Sequence, residues 1–197
     1  MLDVPLDDYR QWDKKFNNAF AYFNFDFTLA MNCATKVIAR QKYAKLLGVK
    51  TNEVTAMAMS FMKAMRERKN FVMSHPHKME IARKIIEARK DKKIITFSAT
   101  IKDAESFGNG FVLHSKKSKK DNQKTIDAFN AVDVGVLHSS KAADQGLDVH
   151  GLSVGIILAG DSSRIRSSQR KGRICRFEPG KKAEMFTLII RGTQEFN

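Results

Sequence analysis

The chain has 197 residues, 43% of them apolar, enough for a buried core in one large domain or a domain with an appendage. Its 35 Lys and Arg against 21 Asp and Glu leave a formal net charge of +14, which favours a polyanionic partner, nucleic acid first, over an acidic or neutral one. The 2 cysteines, Cys33 and Cys175, form no CxxC pair, no His cluster has zinc spacing, and no apolar run approaches the roughly 20 residues of a membrane span. These features argue against a disulfide framework, a structural metal and a membrane protein. The start, MLDVPLDDYRQW, is acidic where a signal peptide is basic and then apolar, so a reducing, cytoplasmic setting, bacterial or virus-infected, is expected.

Residues 1–90 read as helical. Trp12, Phe16, Phe20, Phe23 and Phe27 recur at steps of four, four, three and four, which places them on one helical stripe. A stripe this regular is expected to pack on a core rather than to stack bases. Met57, Met62 and Met65 with Phe61 form a second apolar face. AKLLGVKTNEV, residues 44–54, has the spacing of a helix-turn-helix, with Gly48 as the left-handed stop and Thr51 as the next N-cap. A groove-reading helix needs polar side chains near its N-terminus, and the residues that follow, VTAMAMSFM, are mostly apolar, so the segment reads as a packing hairpin. In SHPHK, His75 and His77 flank a proline with no further metal ligands in view, and a loop leads to a helix starting near Lys78.

The grammar changes at Lys90 to Lys93, which divides a helical region, 1–90, from a second domain, 91–197. KIITFSA (93–99), GFVLHS (110–115), VDVGVLHSS (132–140), LSVGIILAG (152–160) and EMFTLIIRG (184–192) read as strands. DNQKTIDAFN (121–130) reads as a helix with Ile126 and Phe129 on one face, and helix-like pieces fall at Ala142 to Gln145 and Arg164 to Ile174. The fold class is therefore α/β: a parallel sheet with helices on both faces, preceded by an α-helical N-terminal region. Ligands of such sheets meet the loops at the carboxyl ends of the strands. Here those loops are SATIK, HSKKSKK, HSSKAADQGLD and GDSSRIRSSQRKGR, rich in the hydroxyls, glycines and cations that hold phosphate oxygens. In SSQRKGRICRF, residues 167–177, Arg170, Arg173 and Arg176 recur at intervals of three around one glycine. On a helix this spreads rigid guanidinium forks over one broad face.

The pair SSKAADQGLD (139–148) and QRKGRICR (169–176), separated by a strand, resembles motifs V and VI of superfamily II helicases, and TFSA (96–99) stands where their motif IV falls. The resemblance covers roughly residues 78–192, the second RecA-like domain of that family. The GLD form and the FSAT and LHSKKS loops look most like DNA repair and recombination helicases of the phage type. The resemblance implies that Arg173 and Arg176 are arginine fingers that meet the γ-phosphate when two domains close. It implies that Gln169 links nucleotide to closure and that Gly172 permits close helix approach. Gly146 would permit a tight turn, and Asp148 would accept from the ribose hydroxyl or orient an arginine. It also implies that Ser98, Ser115, Lys116, Ser139, Ser140 and Lys141 hold one nucleic-acid strand by its phosphates without reading sequence. Ser140 and Lys141 replace a more usual threonine-containing pattern.

A helicase ATPase also needs a GxxxxGK[ST] phosphate loop and an Asp-Glu pair for magnesium. Neither occurs: the only Gly-Lys, Gly180-Lys181, has Cys175 where the loop's first glycine would stand. The chain is thus expected to be the C-terminal motor half of an ATP-dependent DNA helicase or translocase, inactive alone. ATP and Mg2+ would be held mainly by an N-terminal RecA-like half, in the same protein or a partner chain. Single-stranded or branched DNA is the expected substrate, with RNA as an alternative. A non-catalytic nucleic-acid-binding module of helicase-like fold is the other reading.

Overall fold

The computed structural model describes residues 1–140, 148–159 and 183–195, and within them the chain divides into two compact units. One is Pro5–Phe71; the other joins Met1–Val4 to Val72–Asn197.

The first unit is helical. α1 (Asp7–Tyr22) opens on two acids that suit the positive end of its dipole, and it stops before Asn24 and Phe25, both of positive φ (51° and 57°). α2 (Phe27–Thr35) then starts afresh, because the Asp26 side chain accepts from Leu29 N. The expected aromatic stripe is therefore split between two helices, yet it converges on one partner. The ring of Phe61, fully buried, lies 5.2 Å from that of Phe16, 5.7 Å from Phe20, 6.5 Å from Phe23 and 5.9 Å from Phe27. Burying such a side chain stabilises by roughly 1.5–3 kcal/mol. Trp12 sits outside this cluster, with Lys15 Nζ 4.4 Å from its ring. α3 (Val37–Leu47) ends on Gly48 at φ 68°, and Val49 N closes the cap on Ala44 O. α4 (Thr51–Met73) follows at once and carries Val54, Ala58 and Phe61 into the core. The packing hairpin read from residues 44–54 is present.

The second unit is built on a parallel sheet of β1 (Lys93–Ser98), β2 (Phe111–Leu113), β3 (Gly135–Ser140), β4 (Val154–Ile157) and β5 (Glu184–Thr187), in the order β2-β3-β1-β4-β5. β1 and β4 are buried along their whole length, which is why both read as apolar runs rather than alternations. On one face Ile95, Phe97, Leu137 and Ile157 pack with Ile126 and Phe129 of α7 (Lys119–Asn130). On the other, Ile94, Val154 and Ile156 meet Ala82 of α5 (Pro76–Glu87) and Phe107, which follows the short α6 (Ile101–Glu105). α5 begins two residues earlier than expected, with His75 as N-cap, its Nδ1 accepting from His77 N, and proline in the first turn, where its absent N–H costs nothing. Met79, Ile81, Ile85 and Ile86 also pack on this face, so α5 groups with the sheet. The compact units divide at Phe71 and Val72. The expected helix pieces at 142–145 and 164–174 lie outside the described residues.

Residues 1–4 belong to the sheet unit, although the whole helical unit separates them from it in sequence. Leu2 N donates to Ile189 O at 2.8 Å and Arg191 N donates to Leu2 O at 3.0 Å.

His138, in the middle of β3, is a buried titratable group at 1% exposure. Its Nε2 lies 2.9 Å from Asn109 O; a carbonyl only accepts, so Nε2 carries the proton and Nδ1 accepts from Thr96 Oγ1 at 3.0 Å. The Phe107 ring stacks on it at 4.2 Å, and Gly110, at φ 94°, clears the site where a Cβ would meet Val136 O at 2.7 Å. Burial pushes this imidazole down to about 4, against the upward pull of the Asn109 carbonyl. Between pH 6.5 and 4 the unfolded chain binds a proton here that the folded chain does not. Stability is thus complete above pH 6.5 and falls as pH drops towards 4, by about 3 kcal/mol from this group. Urea midpoints at pH 7.5 and 4.5, for wild type and His138→Asn, check this: the variant should lose less on acidification, and equal losses would refute it.

Candidate nucleic-acid and nucleotide interface

The carboxyl ends of β2, β3 and β1 are adjacent in the sheet, so the loops after residues 113, 140 and 98 share one edge. Ser98 ends β1, Ser140 ends β3, and the register pairs them directly. Both are buried, and neither Oγ has a hydrogen-bond partner among the described residues. A buried hydroxyl without a partner costs about 1–3 kcal/mol, so these two, on neighbouring strands about 4.8 Å apart, are free to donate to one oxygen reaching this edge. Ser139 differs: it faces inward at 0% exposure and its Oγ donates to Ser140 O at 3.2 Å. Of Ser139 and Ser140, it is Ser140 whose hydroxyl has no partner among the described residues.

A shallow cleft beside Ser98 is lined by Ser74, His75, Lys78, Asp103 and Leu158. Its other polar groups are already engaged. Ser74 Oγ donates to Asp103 Oδ2 at 2.8 Å, and Lys78 Nζ donates to Leu158 O at 2.9 Å and to both Glu195 oxygens at 2.7 Å. Burial pulls the Lys78 ammonium down, and the Glu195 carboxylate opposes that shift. Burial likewise lowers His75, aided by His77 and Lys78.

The loop after β2 carries Ser115 and Lys116, both exposed. Lys117 turns back to donate to Val112 O at 2.7 Å, so it belongs to the loop's own scaffold rather than to a cationic strip. Ser118 caps α7 by accepting from Asp121 N at 3.1 Å, and Asn122 Nδ2 donates to His114 O at 3.0 Å. Lys119 and Lys120 are exposed in the first turn of α7, where a helix dipole disfavours cations and favours anions. Four positions, Ser115, Lys116, Lys119 and Lys120, are thus presented to solvent. The capping box Thr100-x-x-Asp103 starts α6 directly after β1 and is a helix-start signal legible in the sequence.

Of the nucleotide-side set, Asp148 is described: its side chain is 68% exposed, and Oδ2 lies 3.6 Å from His150 Nε2. Lys141, Gly146, Gln169, Arg170, Gly172, Arg173 and Arg176 lie outside the described residues. Among the described residues there is no group of three or more His, Cys, Asp or Glu placed to hold a metal ion. No helix among them is long and apolar enough to cross a membrane.

Residues 77–178 match the family described as helicase conserved C-terminal domain. The chain is 26% identical over 136 residues to the DNA 3'-5' translocase XPB2 of Sulfurisphaera tokodaii, covering 68% of this chain and 31% of the relative. It is 31% identical over 110 residues to putative helicase 22 of a Sulfolobus islandicus filamentous virus, covering 56% and 18%. The chain thus spans about a third or less of the length of these relatives. Among solved structures, a hypothetical ATP-dependent RNA helicase from Sulfolobus tokodaii superposes with a TM-score of 0.51 at 25% identity, covering 60% of this chain and 35% of that one. The E. coli DEAD-box protein SrmB, bound to the regulator RraA, shows the same fold with a TM-score of 0.51 at 18% identity, covering 58% and 71%. With a family match over more than half its length and a five-stranded parallel sheet of the RecA-like kind, the chain belongs to the helicase conserved C-terminal domain family of superfamily II.

Proposed function

We propose that the chain is the second motor half of an ATP-dependent DNA helicase or translocase of the repair and recombination type. The observation that carries this is the family match ending at residue 178, which takes in the whole of QRKGRICR, together with two hydroxyls at the sheet edge that have no partner among the described residues. In this reading the sheet unit is the motor domain and the helical unit an accessory. Arg173 and Arg176 reach across to the transferring phosphate when the halves close, with Gln169, Gly172, Gly146 and Asp148 supporting the nucleotide side. ATP and Mg2+ sit mainly on an N-terminal RecA-like half that carries the phosphate loop. Ser98, Ser140, Ser115, Lys116 and Lys141 hold the strand by its backbone, with Ser139 behind them. DNA is favoured by the relative described as a DNA translocase, and RNA is the second reading because the solved relative at 25% identity is described as an RNA helicase.

The test is fluorescence anisotropy of the purified chain with 20-mers of unrelated DNA and RNA sequences at rising salt, alongside an ATPase assay. Binding should be indifferent to DNA sequence, with a log-log salt slope of about −0.7 per neutralised phosphate, and the chain alone should turn over no ATP. Salt-independent binding or strong sequence discrimination would sink the proposal. RNA bound more than tenfold tighter than DNA would move it to the second reading.

A further inference from the structure

We infer that the outer face of α3 docks an acidic amphipathic segment of a partner protein. Residues 36–50, KVIARQKYAKLLGVK, hold five cations, Lys36, Arg40, Lys42, Lys45 and Lys50, and no acid. Among the described residues none of the five makes an ion pair, and Lys42 and Lys45 are exposed. The same face exposes two large aliphatic side chains that a solvated cationic face would not need: Ile38 is 67% exposed and Leu46 78%. Tyr43 and Ala44, on the opposite side, are buried in the helical core.

The arrangement of the two kinds of side chain selects the partner. At about 100° per residue, Lys42 and Lys45 fall within about 40° of Ile38 on the helical wheel, so cations and aliphatics are interleaved on one face. A membrane-surface helix segregates them, because sinking Ile38 into lipid here would take two ammonium groups with it. A nucleic-acid backbone would pair with the lysines but leave Ile38 and Leu46 against phosphate. A helix or extended segment with leucine-type anchors and carboxylates between them meets both demands at once. The charge complementarity is one-sided enough to specify an acidic partner, and the exposed aliphatic area supplies the anchor sites.

The experiment uses the full chain and a fluorescein-labelled 16-residue amphipathic peptide with leucines at i, i+3 and i+4 and glutamates between them. A second peptide with glutamine for each glutamate, a dT20 oligonucleotide and phosphatidylserine vesicles complete the set. The acidic peptide should bind, and the glutamine peptide should bind at least tenfold more weakly. Ile38→Ser with Leu46→Ser, and separately Lys42→Glu with Lys45→Glu, should each weaken the acidic peptide by about tenfold or more with helical circular dichroism unchanged. The serine pair should leave dT20 binding as it was. Failure of the acidic peptide to bind, or binding as tight as wild type by either variant, overturns the inference. So does vesicle or dT20 binding that is lost in both variants, which would make α3 a lipid or nucleic-acid surface. These outcomes are independent of whether the sheet edge binds DNA.

Discussion

Arg173→Ala and Arg176→Ala, each combined with an N-terminal RecA-like half that carries the phosphate loop, are expected to hydrolyse ATP about 10³- to 10⁵-fold more slowly than the wild-type pair, the range an arginine finger contributes in GTPases. The reason is electrostatic. Negative charge builds on the transferring phosphoryl group, and a guanidinium fixed opposite it in a water-poor interface stabilises that charge far more than an ion in solvent would. Removing an arginine that serves this role should barely affect folding, since substitutions away from packing and ion-pair networks typically change stability by less than about 0.5 kcal/mol. Binding of single-stranded DNA should persist, because the proposed strand contacts are Ser98, Ser140 and the loop after β2. Arg170 is the control: it starts the same run yet does not match a finger position, so Arg170→Ala should cost much less. Wild-type turnover in both finger variants, or unfolding of both, would assign the arginines to a structural network and favour the non-catalytic binding module.

The second large effect concerns the ion pair that ties the C-terminal segment to α5. Lys78 is 1% exposed and Glu195 10%, and their atoms meet at 2.7 Å. Glu195 also accepts from Ile190 N at 3.3 Å, so one carboxylate joins α5 to the strand-like segment that Leu2 flanks. Glu195→Ala leaves a buried ammonium with only the Leu158 carbonyl, and breaking such a pair from one side costs roughly 3–5 kcal/mol. Replacing both partners, Lys78→Met with Glu195→Leu, should recover most of that loss, because the desolvation cost of the two charges disappears with them. Urea unfolding of the two single variants and the double variant measures the coupling. Additive losses would show that the pair does not act as a unit.

Much of this chain was legible in its residues one segment at a time. Periodicity of two and of 3.6, with glycine and capping residues between, marks β1, β3, α3, α4 and α7 because local burial and local backbone preference decide those elements. The motif pair at 139–148 and 169–176 announced the family for the same reason, since a phosphate-binding loop needs its hydroxyls and cations at fixed short spacing. The break at Asn24 and Phe25 is not legible, because an unbroken aromatic stripe hides a turn whose local signal is the Asp26 cap. What the tertiary structure alone decided lies between residues far apart in the chain. The placement of β4 between β1 and β5, the alignment of Ser98 with Ser140 across 42 positions, and the buried contact of Lys78 with Glu195 across 117 all come from long-range pairing. No window of sequence encodes such pairs, because each side chain's pattern is compatible with many partners and only the closed core selects one. The same holds for residues 1–4, whose few polar and apolar side chains carry no strand signal. They join the sheet unit because Leu2 completes its apolar cluster and its backbone satisfies Ile189 and Arg191.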